Sequence, residues 1–160
     1  MVYLDRKYSY RRTLPHLLKD NRPVFVTFGT FKRWELPAAA RQLVFDCCLQ
    51  EHGGTIDLHA MVVMPTHAHL LFTPRRDAEG WLVSLPKIMR LIKGRSAHFL
   101  NQLLERHGPV WQEESFDHVL RSNESLREKV DYICQNPVRA GLVWRETDYR
   151  WLWRDEIPTL

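Results

Sequence analysis

An α+β sandwich, in which one antiparallel sheet carries two helices on a single face, is the fold this sequence predicts. Three observations lead there. Apolar stretches of strand and helix period alternate along the chain. Two of the strand-like stretches are separated by only Pro65-Thr66. And the 160 residues, 44% hydrophobic, suffice for one core and not for two ordinary domains. The chain is therefore read as a single domain over 1–160, with a basic arm at 1–22 and a tail at 144–160.

The first strand is read at Val24 to Thr30, VFVTFGT, β-branched and aromatic and bounded by Pro23. Leu36-Pro37 then opens a helical pattern through Ala39, Leu43, Val44, Cys47 and Cys48, which stops at Gly53-Gly54. Thr55 to Met64 and His67 to Thr73 are strand-like on either side of Pro65-Thr66 and predict a hairpin, ended by Pro74. From Ser84 to about His107 the period is helical, with Ile88, Ile92, Phe99 and Leu103 on one side and Lys87, Arg90 and Lys93 roughly opposite. Gly94 weakens that helix at its middle. Phe116 to Arg121 is a short strand. Ser122-Asn123-Glu124-Ser125 supplies caps for a last helix that runs to Asn136 and is stopped by Pro137. The tail from Trp144 to Trp153 is aromatic and basic and has no clear period. Strand, helix, strand, strand, helix, strand is the ferredoxin-like order, and the extra last helix can cover the other sheet face.

Charge and composition narrow the function classes. Twenty-three Lys and Arg against nineteen Asp and Glu leave a net +4, too modest to identify a partner. Its distribution says more: Arg6, Lys7, Arg11 and Arg12 form the basic arm, and Lys87, Arg90, Lys93 and Arg95 crowd one helix, which is either a nucleic-acid face or a solvated one. No stretch approaches the ~20 apolar residues that span a bilayer, and the start of the chain lacks the apolar run of a leader. Three cysteines, two of them adjacent in a helical pattern, suit a reducing compartment. A soluble, cytoplasmic protein, monomer or homodimer, is expected.

Two positions carry chemistry. In Pro65-Thr66-His67-Ala68-His69-Leu70-Leu71-Phe72, the histidines are two apart on a strand, so both leave one face while Ala68, Leu70 and Phe72 leave the other. Two imidazoles so placed suit one metal ion, although surface or hydrogen-bonded histidines give the same pattern. In Tyr132-Ile133-Cys134-Gln135-Asn136-Pro137, Tyr132 and Asn136 are one helical turn apart, and an amide oxygen from Asn136 or Gln135 can complete a metal site. The alternative is that Tyr132 packs in the core with Ile133 and Asn136 only caps the helix.

Taken together, Met64 to Leu71 resembles the histidine strand of the single-tyrosine HUH transposases, and YICQNPVRAGLV, Tyr132 to Val143, resembles their tyrosine helix. Leu91 to Ala97 (LIKGRSA), Trp111-Gln112 and Phe116 to Arg121 (FDHVLR) are similar to the branch called REP-associated tyrosine transposases. With Phe25 to Phe28 near the start and Tyr149 to Trp151 near the end, the resemblance covers nearly the whole chain. Two residues depart from the family pattern: Ala68 is small where a larger aliphatic is usual, and Thr66 stands where Asn is frequent.

The resemblance implies a ferredoxin-like fold, with His67, His69 and Asn136 as metal ligands and Tyr132 as nucleophile. It also implies single-stranded DNA with a palindromic hairpin as substrate. A phenol attacks a phosphodiester poorly without a Lewis acid, so a divalent ion, Mg²⁺ or Mn²⁺, is expected. Cleavage would leave the 5′ phosphate on Tyr132 and a free 3′ hydroxyl, and attack by another 3′ hydroxyl would complete strand transfer. Lys87, Arg90, Lys93, Arg95, Arg12 and Arg150 are the expected DNA contacts, with Trp144, Arg145, Tyr149 and Trp151 as further candidates to clamp phosphates or stack bases, although the tail tryptophans suit core packing equally well. Two rivals remain. One is a catalytically idle hairpin-binding protein of this fold, and the other a zinc hydrolase using His67, His69 and Cys48.

Overall fold

The computed structural model describes residues 22–121 and 124–156. The basic arm, with Arg6, Lys7, Arg11 and Arg12, and the capping candidates Ser122 and Asn123 lie outside these described residues. The strands are β1 (Val24–Gly29), β2 (Ile56–Val63), β3 (His67–Pro74), β4 (Phe116–Val119) and β5 (Leu152–Arg154), and the helices are α1 (Ala38–Gln50), α2 (Leu85–Leu103) and α3 (Leu126–Arg139). The sheet runs in the order β4-β1-β3-β2-β5, antiparallel throughout. Its first four strands are the expected ferredoxin-like arrangement.

Strand alternation divides the side chains between two cores. Val24, Val26 and Phe28 of β1 and Ala68, Leu70 and Phe72 of β3 pack against α1 and α2, meeting Val44 and Cys48 of the first and Ile88, Ile92 and Leu100 of the second. The other face carries Phe25 of β1, Leu71 of β3 and Ala60 and Val62 of β2, and is closed by Val130, Ile133 and Cys134 of α3. With both faces covered, β3 is buried almost end to end rather than alternately. Ala68 lies opposite Phe28, whose ring meets Trp111 edge-on at 4.8 Å, so large neighbours supply the bulk that Ala68 lacks. A register shift between Leu58 and Ala60 lets β2 turn Ala60 and Val62 toward α3 after presenting Ile56 and Leu58 to α1 and α2.

Several expectations are corrected. The strand β5 was not legible, because the tail lacks a strand period; its backbone pairs Met61 with Trp153, and Tyr149 secures its approach by donating from its buried hydroxyl to Val63 O at 2.6 Å. Helix α3 does not stop before Pro137. It runs through to Arg139, the proline ring is buried, and the last turn closes by Ala140 N donating to Asn136 O and Leu142 N to Pro137 O. Gly141, at φ +74°, ends it in the left-handed conformation that favours glycine. Ser125 is the cap, accepting from Glu128 N at 3.2 Å.

On α2 the apolar face is displaced from the expected one: Phe99 and Leu103 are about half exposed, and the buried stripe runs Ile88, Ile92, Ser96, Leu100. A serine hid that stripe. Ser96 occupies a core position because Trp111 Nε1 donates to its hydroxyl at 2.9 Å and it donates in turn to Lys93 O at 3.3 Å. Lys93, expected on the solvent face, is turned inward, donating from Nζ to Gln112 O, Glu113 O and Ser115 Oγ at 2.7–3.2 Å. Burial pushes its ammonium down to about 8. Gly94 leaves α2 unbroken.

Candidate active site

His67 and His69 leave β3 on the face closed by α3. Their rings are 4.8 Å apart at 73° to one another. Each has one nitrogen engaged by a threonine hydroxyl: His69 Nδ1 lies 2.7 Å from Thr27 Oγ1, and His67 Nδ1 lies 3.3 Å from Thr66 Oγ1. In the tautomer with the proton on Nδ1, both hydroxyls accept and both Nε2 atoms keep their lone pairs, which is how protein imidazoles are oriented toward a metal. Desolvation lowers both imidazoles. His69, which is 8% exposed, is pushed down to about 3, with the charges of His67 and Arg139 adding to the effect, while Arg33 adds to the lowering at His67. Both rings are therefore neutral at neutral pH, the form that ligates.

Tyr132 stands on α3 beside this pair. Its ring centroid is 6.3 Å from that of His69 and 6.1 Å from that of Phe25, which itself stacks on His69 at 5.5 Å. Ile133 and Cys134 turn into the core and hold the helix down, whereas Tyr132 is 47% exposed and open to a substrate. The core-packing alternative for Tyr132 is thus not what the fold does. Two cations face the ring: the Arg139 guanidinium at 4.4 Å, anchored by donating to Tyr132 O at 2.7 Å, and Lys129 Nζ at 5.6 Å.

The helix that continues through Pro137 keeps Asn136 one turn after Tyr132 on the same face, half-buried. Gln135 is committed elsewhere, its Nε2 donating to Glu146 Oε2 at 2.8 Å. Among the described residues no third His, Cys, Asp or Glu groups with the histidines. Two neutral imidazoles, with an amide oxygen such as that of Asn136, are by their chemistry donors that suit a divalent ion. Cys48 does not join them. It is fully buried among the α1 and α2 residues on the opposite sheet face, with burial raising its thiol, and the zinc hydrolase reading loses its third ligand.

The expected DNA contacts are scattered. Lys87 and Arg90 are exposed, but α2 lies across the sheet from the histidines, so these side chains do not face Tyr132. Arg95 pairs with the nearly buried Glu51 at 2.8 Å and ties α2 to α1. Arg150 is exposed, and Arg12 lies outside the described residues. In the tail, Trp144 is 96% exposed, whereas Trp151 Nε1 donates to Gln42 Oε1 and its ring carries the Arg41 guanidinium at 4.4 Å. The sequence reading missed Thr27, Lys129 and Arg139. Thr27 becomes visible only through the register that sets it opposite His69, while Arg139 lies two residues past Pro137, where the sequence predicts the helix to end.

No family model matches the chain. A stretch of 94 residues, 58% of the chain, is 31% identical to the REP-associated tyrosine transposase of Escherichia coli, of which it covers 51%. A relative from Haemophilus influenzae is 26% identical over 89 residues, covering 52% of this chain and 51% of that one. The chain therefore spans about half the length of the curated relatives it matches. Among solved structures, a REP-associated tyrosine transposase bound to a REP hairpin superposes with a TM-score of 0.67 over 95% of this chain and 82% of that one, at 22% identity. The relatives support the family resemblance read from the motifs, and the structural likeness bears out the fold.

Proposed function

We infer that this protein cleaves and rejoins single-stranded DNA next to a hairpin, in the manner expected of a REP-associated tyrosine transposase, with Tyr132 as nucleophile. The observation that carries the reading is the convergence at one place of an exposed tyrosine and two neutral histidines whose Nδ1 atoms are each held by a threonine. The E. coli relative and the hairpin-bound structure support the substrate class.

His67, His69 and Asn136 would hold a divalent ion, which when bound supplies Lewis-acid stabilisation of charge on the scissile phosphate. Thr27 and Thr66 orient the imidazoles ahead of substrate binding. The Tyr132 oxygen attacks phosphorus, the bond to the 3′ oxygen breaks, and that oxygen takes up a proton as the phenol loses its own. The 5′ phosphate stays on Tyr132. Because one phosphodiester replaces another, a second 3′ hydroxyl can reverse the step on a new strand. Lys129 and Arg139, beside the ring, are placed to attract the anionic backbone.

A protein that binds the hairpin without turnover is the alternative, and one substitution separates the two. Tyr132→Phe keeps the ring contacts with Phe25 and His69 and removes only the hydroxyl. With labelled hairpin DNA and Mn²⁺ or Mg²⁺, the wild type should give a covalent adduct on a denaturing gel that mass spectrometry maps to Tyr132. The variant should bind with near-wild-type affinity and give no adduct. A wild type that binds but never forms an adduct would favour the idle binder, and an adduct that persists in Tyr132→Phe would remove the nucleophile assignment.

A further inference from the structure

The connection from β1 to α1 is an arch whose feet stand on the residues that precede His67. Thr30 N donates to Thr66 O at 2.8 Å, Leu36 N donates to Pro65 O at 2.7 Å, and Phe31 N is tied to Val110 O at 2.8 Å. At the top of the arch, Lys32 (φ +53°) and Arg33 (φ +56°) are consecutive residues in the left-handed region, and neither is glycine. Side chains there strain the backbone where glycine would not, so a charged pair in those positions comes at a cost to the fold. Within the turn Arg33 N donates to Thr30 O and Trp34 N to Phe31 O, which hold its shape.

Both side chains are exposed. Lys32 Nζ sits 5.4 Å from the Phe31 ring, and the turn that carries both residues is pinned to Pro65 and Thr66, immediately before His67. Across the site, at the His69 and Tyr132 end, stand Lys129 and Arg139. The site face thus has cations at both margins of the histidine pair, whereas Lys87 and Arg90 lie behind the sheet.

We propose that the Lys32–Arg33 turn is a phosphate-binding element that grips the backbone of the single strand on the His67 side, so that the scissile phosphate is held between this turn and the Lys129–Arg139 margin. The inference rests on the strand-cleavage reading above and adds the residues that thread the strand. Its contacts are to phosphates and carry no base preference.

The test measures affinity for a labelled hairpin oligonucleotide with a single-stranded extension, as a function of salt, together with thermal melting. Two phosphate contacts to single-stranded DNA contribute about −0.7 each to the slope of log affinity against log salt, so Lys32→Gly with Arg33→Gly should make the slope shallower by about 1.4. The same pair should melt no lower than wild type, because glycine relieves the strained turn. Lys32→Gln with Arg33→Gln removes the charge but retains side chains, and should give the same change in slope even if the glycine pair folds poorly. Lys87→Gln with Arg90→Gln, matched in charge and behind the sheet, should change the slope by less than half as much. A wild-type protein with no affinity for the hairpin would overturn the functional reading and this inference with it. Wild-type binding with an unchanged slope in the glutamine pair, or an equal change in the control pair, would overturn this inference alone.

Discussion

Replacing Thr27 by valine changes a hydroxyl for a methyl at nearly constant volume and strikes the histidine site without touching Tyr132. The lost contact is the 2.7 Å hydrogen bond to His69 Nδ1, and His69 is 8% exposed, so water replaces the hydroxyl poorly. A buried polar group left without its partner costs about 1–3 kcal/mol. Loss of such an orienting contact typically weakens metal affinity by about 10–100-fold, which at 1.4 kcal/mol per tenfold is about 1.4–2.8 kcal/mol and agrees with the first figure. The cost falls on whichever process needs His69 in that tautomer. Mn²⁺ binding followed by calorimetry or by electron paramagnetic resonance should therefore weaken by about 10–100-fold in Thr27→Val, and the metal concentration for half-maximal cleavage should rise in parallel. Hairpin affinity without metal should be nearly unchanged. A variant that binds Mn²⁺ as tightly as wild type would refute the orienting role of Thr27 and weaken the assignment of His69 as a ligand.

Three further outcomes are expected. Asn136→Ala should raise the metal requirement for cleavage, whereas Gln135→Ala should not, since Gln135 already donates to Glu146; the reverse result would exchange the two amides. In salt-dependent binding assays, Lys129→Glu should weaken hairpin affinity more than Lys87→Glu, because Lys129 lies beside Tyr132 and Lys87 lies across the sheet; equal losses would return the helix α2 surface to the DNA interface. Asp117, on the edge strand β4, is raised to about 6, chiefly by desolvation. A carboxylate raised in the folded state binds its proton more tightly there than when unfolded, so the fold is favoured below pH 4 and loses that advantage between about 4 and 6. Asp117→Asn should thus be near neutral at low pH and stabilise the protein at pH 8 by about 1–2 kcal/mol after allowance for partial solvent exposure, as read from urea denaturation at the two pH values. An identical effect at both pH values would show that its charge is not what the fold resists.

The sequence by itself determined most of the repeating elements of the fold and singled out the residues of the candidate site. Period and punctuation placed β1 through β4 and the three helices among the described residues within a few residues, since those signals are local. The two-residue spacing of His67 and His69 fixed a common face for them without any knowledge of what packs nearby. Other features depend on partners distant in sequence. Thr27 meets His69 across 42 positions, through a strand register that no local pattern encodes. Strand β5 exists because β2 offers an edge and Tyr149 a tether 86 residues away, and its own residues have too little period to announce it. Lys93 reads as polar surface and is half-buried, and Ser96 sits in the core, because the 112–115 segment and Trp111 supply the hydrogen bonds that make their burial tolerable. Tertiary structure alone decided that α2 faces away from the histidines and α3 toward them, since which side of a sheet a helix covers is set by the path of its connections and not by its own sequence.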